Sequence, residues 1–147
     1  MILPFERVSK SMHQRTLYFL LQVFLVASCH AASLRLIQDQ EAQTISVQRL
    51  NSQKPLLVQN ARSDHRPYLH PIVAPDGNGV LTQYSPGHHK HQTGVYWGLT
   101  RVNGRDFFHN PSNGYWQLQK AEILAGEGEV VQWETIYHLL DEEGESM

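Results

Sequence analysis

Cysteine is almost missing from this chain: Cys29 is the only one among 147 residues. It sits inside the N-terminal export-signal stretch described below. The chain that follows therefore has no internal disulfide and no thiol nucleophile. Basic residues are missing after Lys120, whereas Glu127, Glu129, Glu134, Asp141, Glu142, Glu143 and Glu145 follow it. That imbalance argues against nucleic acid and anionic lipid as partners, and the tail reads as a solvated acidic edge. No G-x-S-x-G, H-E-x-x-H or P-loop pattern occurs, and Gly77-Asn78-Gly79 precedes no helix that would present a phosphate site. There is no internal repeat, no low-complexity linker and, beyond the signal, no long apolar run.

The N-terminus has the pattern of a signal peptide. Arg7, Lys10 and Arg15 precede the apolar run Thr16–Ser28, which is broken only by Gln22 and is too short for a mature bilayer span. Cleavage after Ala31 or Ala32 is expected, making 1–31 the signal and the protein exported, to the periplasm or the extracellular space. Val26-Ala27-Ser28-Cys29 also matches a bacterial lipobox, so Cys29 is either a lipid-anchor site or a small residue of the cleavage region. Without 1–31 the charge falls from −2 to −4, with 9 Lys+Arg against 13 Asp+Glu. The remaining stretch, 32–147, suits one β-rich domain. Val130–Tyr137 reads as a strand and Asp141-Glu142-Glu143-Gly144 as the turn after it, yet no returning strand precedes Met147. The expectation is the N-terminal part of a longer domain.

Strand signals dominate that domain. Ser33–Gln38, Thr44–Leu50 and Pro55–Gln59 are short apolar or alternating runs with polar turns between them. Tyr68–Ala74, Val80–Tyr84, Thr93–Val102 and Arg105–Phe108 are expected to be extended, with Asn103-Gly104 as a two-residue hairpin turn. Tyr115–Leu124 and Glu129–Leu139 form a last pair, although Trp116–Leu124 also fits a helix on pattern. The fold class is all-β, an antiparallel β-sandwich.

Six of nine histidines lie between His65 and His109, among glycines, prolines and aromatics. Imidazole is a metal ligand, proton shuttle or hydroxyl partner near neutral pH. His89 and His91, at i and i+2, share one face if extended and are the candidate metal pair; two ligands are not a site, a third would have to come from His70, His109, His65 or a carboxylate, and no cupin-type glutamate follows. A second reading is proton chemistry on a sugar by His70, His89 and His91. In it Arg66 and Asp106 orient substrate and Tyr96, Trp97 and Trp116 offer platforms. The plainer alternatives are that Arg66 pairs at the surface with Asp64 or Asp106, and that one ring each of Tyr96-Trp97 and Phe107-Phe108 is core.

Four pieces, Arg66-Pro67-Tyr68-Leu69-His70-Pro71, Pro75-Asp76-Gly77, His89–Gly98 and Val102–Phe108, occur here in order. Together they resemble an exported bacterial family of unknown function labelled "methane oxygenase PmoA". Within the second histidine run His89, His91 and Gly94 match the family's pattern, while Lys90, Gln92 and Thr93 depart from it. The resemblance implies an all-β sandwich akin to the large sandwiches of sugar mutarotases, and a chain about half the family's length. The oxygenase activity itself is rejected, because it needs several membrane-spanning helices. The resulting expectation is a protein of carbohydrate metabolism with a histidine-lined pocket that binds or acts on a sugar or sugar acid. No organic cofactor is implied, and a divalent metal is the one cofactor left open. The alternatives are a non-catalytic carbohydrate-binding or cell-surface module, or an inactive truncated product.

Overall fold

Alternation of apolar and polar residues sets the first three strands. In the computed structural model, which describes residues 33–112 and 114–147, β1 (Leu34–Asp39) and β2 (Thr44–Arg49) pair antiparallel, with Leu36 opposite Val47. Side chains two apart point the same way, so Leu34 and Leu36 of β1 share a face with Val47 and Ile45 of β2. β3 (Pro55–Asn60) adds Leu57 opposite Val47. Its proline opens the strand, where a missing N–H costs no ladder bond. β4 (Tyr68–Ile72) and the two-residue β5 (Val95–Tyr96) extend this sheet antiparallel.

A second sheet consists of β6 (Trp116–Ala125) and β8 (Gln132–Leu139), antiparallel with two register shifts. Between them β7 (Glu127–Gly128) pairs with the edge of β1, and Leu36 N–H donates to Gly126 O at 2.7 Å. The larger sheet thus runs β5-β4-β3-β2-β1-β7. Leu36, Ile45 and Val47 are buried, with Ala121, Ile123 and Trp133 of the smaller sheet packed on them. The described chain is therefore all-β, two antiparallel sheets in a sandwich-like arrangement. No helix among the described residues is long and apolar enough to cross a membrane. The expected signal at 1–31, including Cys29, lies outside the described residues.

The middle of the chain departs from expectation. Val80–Tyr84 and Arg105–Phe108 form no strands, only the bridges Val73↔Val80, Tyr84↔Thr93 and Val102↔Arg105. Thr93–Val102 shrinks to β5, and Glu129–Leu139 begins its pairing at Gln132. Trp116–Leu124 is strand and not helix. The Asn103-Gly104 turn does form, with φ of 47° and 87° and two backbone bonds between Val102 and Arg105, the signature of a mirror-image hairpin turn. Residues 81–112 otherwise behave as loops, because their backbone is held by side chains and not by a ladder.

Gly94 shows how tight that packing is. A Cβ there would lie 2.3 Å from Leu69 O and 2.9 Å from the His70 Cβ, at a φ of 93°. Gly104 shares the positive φ but has open space. Gly104→Ala is expected to cost about 1 kcal/mol, the left-handed penalty alone. Gly94→Ala should cost about 3 kcal/mol, because backbone must also shift. Urea midpoints of the two variants check this, and equal values would show that the Leu69–Gly94 approach is not a constraint.

Candidate functional site

Arg66 lies between β3 and β4 with no solvent exposure. Its Nη1 donates to Phe108 O and, at 3.4 Å, to Phe107 O; its Nη2 donates to His91 O at 2.5 Å and to Thr93 Oγ1 at 3.4 Å. The guanidinium carbon stands 3.5 Å from the Tyr96 ring centre, and the Arg66 N–H donates to Pro111 O at 2.8 Å. One side chain thus holds loop 85–93 and loop 105–111 together. Burial lowers its pKa and the adjacent Tyr96 opposes that shift, but a guanidinium stays charged at any working pH. Carbonyl dipoles and a π face take the place of a carboxylate. The surface partners considered for it are used elsewhere: Arg62 meets Asp64, and Asp106 meets His109.

Above this hub the imidazoles form a ridge. Ring centres are 4.1 Å apart for His88–His89, 5.9 Å for His89–His91 and 4.7 Å for His91–His109. Phe108 packs beneath it, 5.1 Å from His91 and 4.7 Å from His109. The loop that carries the first three is closed by Ser85 N–H to Gln92 O at 2.6 Å and by the turn from Pro86 to His89.

His109, offered by the sequence only as one of several possible third metal ligands, stands in the site as the partner of Asp106. Asp106 Oδ1 accepts the N–H groups of Phe108 and His109, a local turn of the kind aspartate favours. Its Oδ2 then meets His109 Nδ1 at 2.6 Å. A carboxylate only accepts, so Nδ1 carries a proton, and in the neutral ring Nε2 then holds the lone pair. The His109 bond, followed by the two backbone N–H groups, holds the Asp106 carboxyl below its ordinary range. The signal was the aspartate–histidine spacing of three across a turn.

The expected residues are divided. His89, His91 and Asp106 come together, while His70 does not join them: its Nδ1 lies 2.8 Å from Thr82 Oγ1 and its ring packs on Tyr84. Tyr96 lies under Arg66. Trp97, its neighbour, is 73% exposed. Trp116 is 4% exposed, packed edge-to-face on Phe107 and Tyr137, with Nε1 donating to Asn110 O at 3.1 Å. The expected histidine-lined pocket is not found. The ridge is an open face, because the fork of Arg66 draws the loops down onto β5. The cavities described lie elsewhere, one of about 180 Å³ beside the β1–β2 turn and one of about 500 Å³ beside Arg105 and Asp141. Among the described residues no three His, Cys, Asp or Glu side chains are placed to hold a metal ion.

Residues 47–145 match the model of a family of unknown function, DUF6807. The chain belongs to that family. The match covers all the motifs that resembled the "methane oxygenase PmoA" group, so that assignment is corrected: the family shown is DUF6807, and no PmoA-like family matches. Several of the shared pieces are packing devices of this fold, namely Arg66 in its carbonyl cage, Gly94 against Leu69, and Gly98 against Phe108. No curated protein and no solved structure matches the chain.

The hub and the ridge each lead to an expected outcome. Arg66→Lys keeps a charge but loses the fork, and is expected to destabilise the fold by about 3 kcal/mol. Amide hydrogen exchange should rise in 85–93 and 105–111 before the core strands; uniform loss of protection would contradict the hub. His91 is held below its ordinary 6.5 by partial burial and then by His109 and His89. A depressed imidazole binds fewer protons folded than unfolded, so this residue's contribution to stability is present above 6.5 and is lost as pH falls from there through the lower folded value. In an NMR titration His109→Ala should move the His91 midpoint back up towards that value.

Proposed function

We propose that this protein is an exported, non-catalytic binding module for a sugar or sugar acid. Its binding face is the ridge of His88, His89, His91 and His109 together with Trp97. One observation carries this reading: the imidazoles stand in a row on an open surface, and the same stretch of chain carries Trp97, an indole that is 73% exposed. Neutral imidazole offers one donor and one acceptor, which suits vicinal hydroxyls. An indole face suits the apolar C–H side of a sugar ring, and large exposed aromatics on a rigid support are the usual anchors of binding surfaces. An open face leaves water at the reacting atoms, and so favours holding a ligand over transforming it.

In this reading Arg66, expected to orient substrate, is a positioning residue that aligns His91 and Phe108. Tyr96 supports Arg66, and Trp116 supports the core. Export rests on the 1–31 signal pattern, with Cys29 as a lipid-anchor candidate. The proposal extends to a larger mutarotase-like sandwich, for which the support is that two strands face six. A second reading has its own observation. The Asp106–His109 pair, 2.6 Å apart, presents a lone-pair Nε2 of the kind a general base needs.

Titration with neutral oligosaccharides and oligouronates, followed by Trp fluorescence, tests the choice. Trp97→Ala is expected to weaken binding about tenfold, and the His89→Ala/His91→Ala pair by a similar factor. Unchanged binding in both variants would sink the proposal. Ligand turnover abolished by His109→Ala would move the assignment to the second reading.

A further inference from the structure

The 180 Å³ cleft beside the β1–β2 turn is separate from the histidine face. Five uncharged polar residues line it, Gln38, Gln40, Gln43 and Thr44 from the hairpin and Gln119 from the opposite sheet, together with Asp39, Leu118 and Lys120. Its floor is apolar, formed by Ile45, Ala61 and Ala121. The volume equals that of about six water molecules in the liquid, room for a single small molecule.

The charges at its rim are already committed. Lys120 Nζ lies 2.5 Å from Glu122 and 3.0 Å from Glu134, and Asp39 Oδ1 accepts the Ala42 N–H at 2.8 Å. No free cation is left to draw in an anion, and the Asp39 carboxylate repels one. Several amide and hydroxyl atoms are uncommitted among the described residues. Gln38 uses its Nε2 on Ala121 O at 3.1 Å and keeps its Oε1. Gln43 gives its Oε1 to Ser63 N–H at a long 3.4 Å and keeps its Nε2. Thr44 and Gln40 make no side-chain hydrogen bond within the described residues.

The backbone adds a second observation. Gln43 sits at φ 54°, a left-handed conformation that glycine adopts freely and glutamine does not. Strain of this sort tends to lie where a side chain is needed, and here it sets a glutamine in the wall of the cleft. Gln119 likewise gives its Nε2 N–H to Gln117 Oε1 at 3.1 Å and keeps its Oε1. Free donors and acceptors together, an apolar floor and no unpaired cation at the rim select a neutral polyhydroxyl ligand.

We infer that the cleft between the β1–β2 turn and β6 is a binding subsite for one neutral monosaccharide unit. Gln43, Gln119 and Thr44 contact its hydroxyls while its C–H face rests on Ile45 and Ala121. This site does not depend on the histidine ridge and stands whether or not that face binds sugar.

The test is a side-chain amide NMR titration of the full chain with methyl glucoside, N-acetylglucosamine and glucuronate. The neutral sugars should shift the Gln38, Gln43 and Gln119 amide signals, with glucuronate binding at least about fivefold more weakly. Gln43→Gly relieves the strain, so the fold persists, and binding should drop about tenfold. Gln119→Ala and Thr44→Val should each weaken it several-fold, while Lys54→Ala, exposed and outside the cleft, should not change it. The inference is overturned by an absence of amide shifts with every sugar. It is overturned equally by native affinity in both Gln43→Gly and Gln119→Ala, or by glucuronate binding as well as the neutral sugars.

Discussion

A guanidinium buried without a carboxylate organises the part of this protein that carries its chemistry. Removing a cation from water is costly, and it persists only where dipoles or charges replace the lost hydration. At its two terminal nitrogens Arg66 meets that demand with carbonyls from His91, Phe107 and Phe108, the Thr93 hydroxyl and the Tyr96 ring, while its buried Nε has no partner among the described residues. The requirement works in both directions. Loops 85–93 and 105–111 have little ladder of their own, and the carbonyls they give to Arg66 fix where they can lie. A lysine could not serve, because a single ammonium cannot span carbonyls from two loops in one plane.

From that hub the imidazole ridge follows. His91 and Phe108 offer their carbonyls to Arg66, so their side chains are turned away from it, with the rings 5.1 Å apart. His109 then stacks at the end of the row. Partial burial, the neighbouring His109 and His89, and lastly the buried Arg66 disfavour a proton on His91. A neutral ring keeps both a donor and an acceptor, and that favours hydroxyl recognition over anion capture near neutral pH.

The strands of the core were legible in the sequence, and the site was legible only in part. Alternation in Leu34–Asp39 and Thr44–Arg49 reports a face buried on one side, and the structure places those strands within a residue or two of expectation. Alternation also separated Tyr96 from Trp97 and Phe107 from Phe108. It misled over Val80–Tyr84 and Arg105–Phe108, where β-branched and aromatic residues serve loop packing. Arg66 was the hardest residue to read. Its partners are backbone carbonyls 25 to 42 positions away, and a carbonyl has no sequence signature. Asp64 and Asp106 were the natural candidates, yet each is paired with another side chain, Arg62 and His109. The pairing of His109 with Asp106 went unread for the opposite reason, because the partner is only three residues away and looks like turn chemistry.

That last point bears on what Asp106 is for. Its Oδ1 takes the N–H groups of Phe108 and His109, and its backbone carbonyl accepts Asn110 Nδ2 at 2.7 Å. These bonds define the turn that delivers the Phe107 and Phe108 carbonyls to Arg66. The carboxylate would be needed there even if His109 were another residue. The His109 contact uses the one oxygen left over, and both side chains are about half exposed. A dyad that follows from turn capping, in contact with water, does not by itself imply proton transfer. Catalytic pairs are commonly shielded and tuned by burial, whereas here the shielding lies below the ridge, around Arg66. The buried charge is structural and the exposed rings are the accessible chemistry, which is the arrangement expected of a surface that binds.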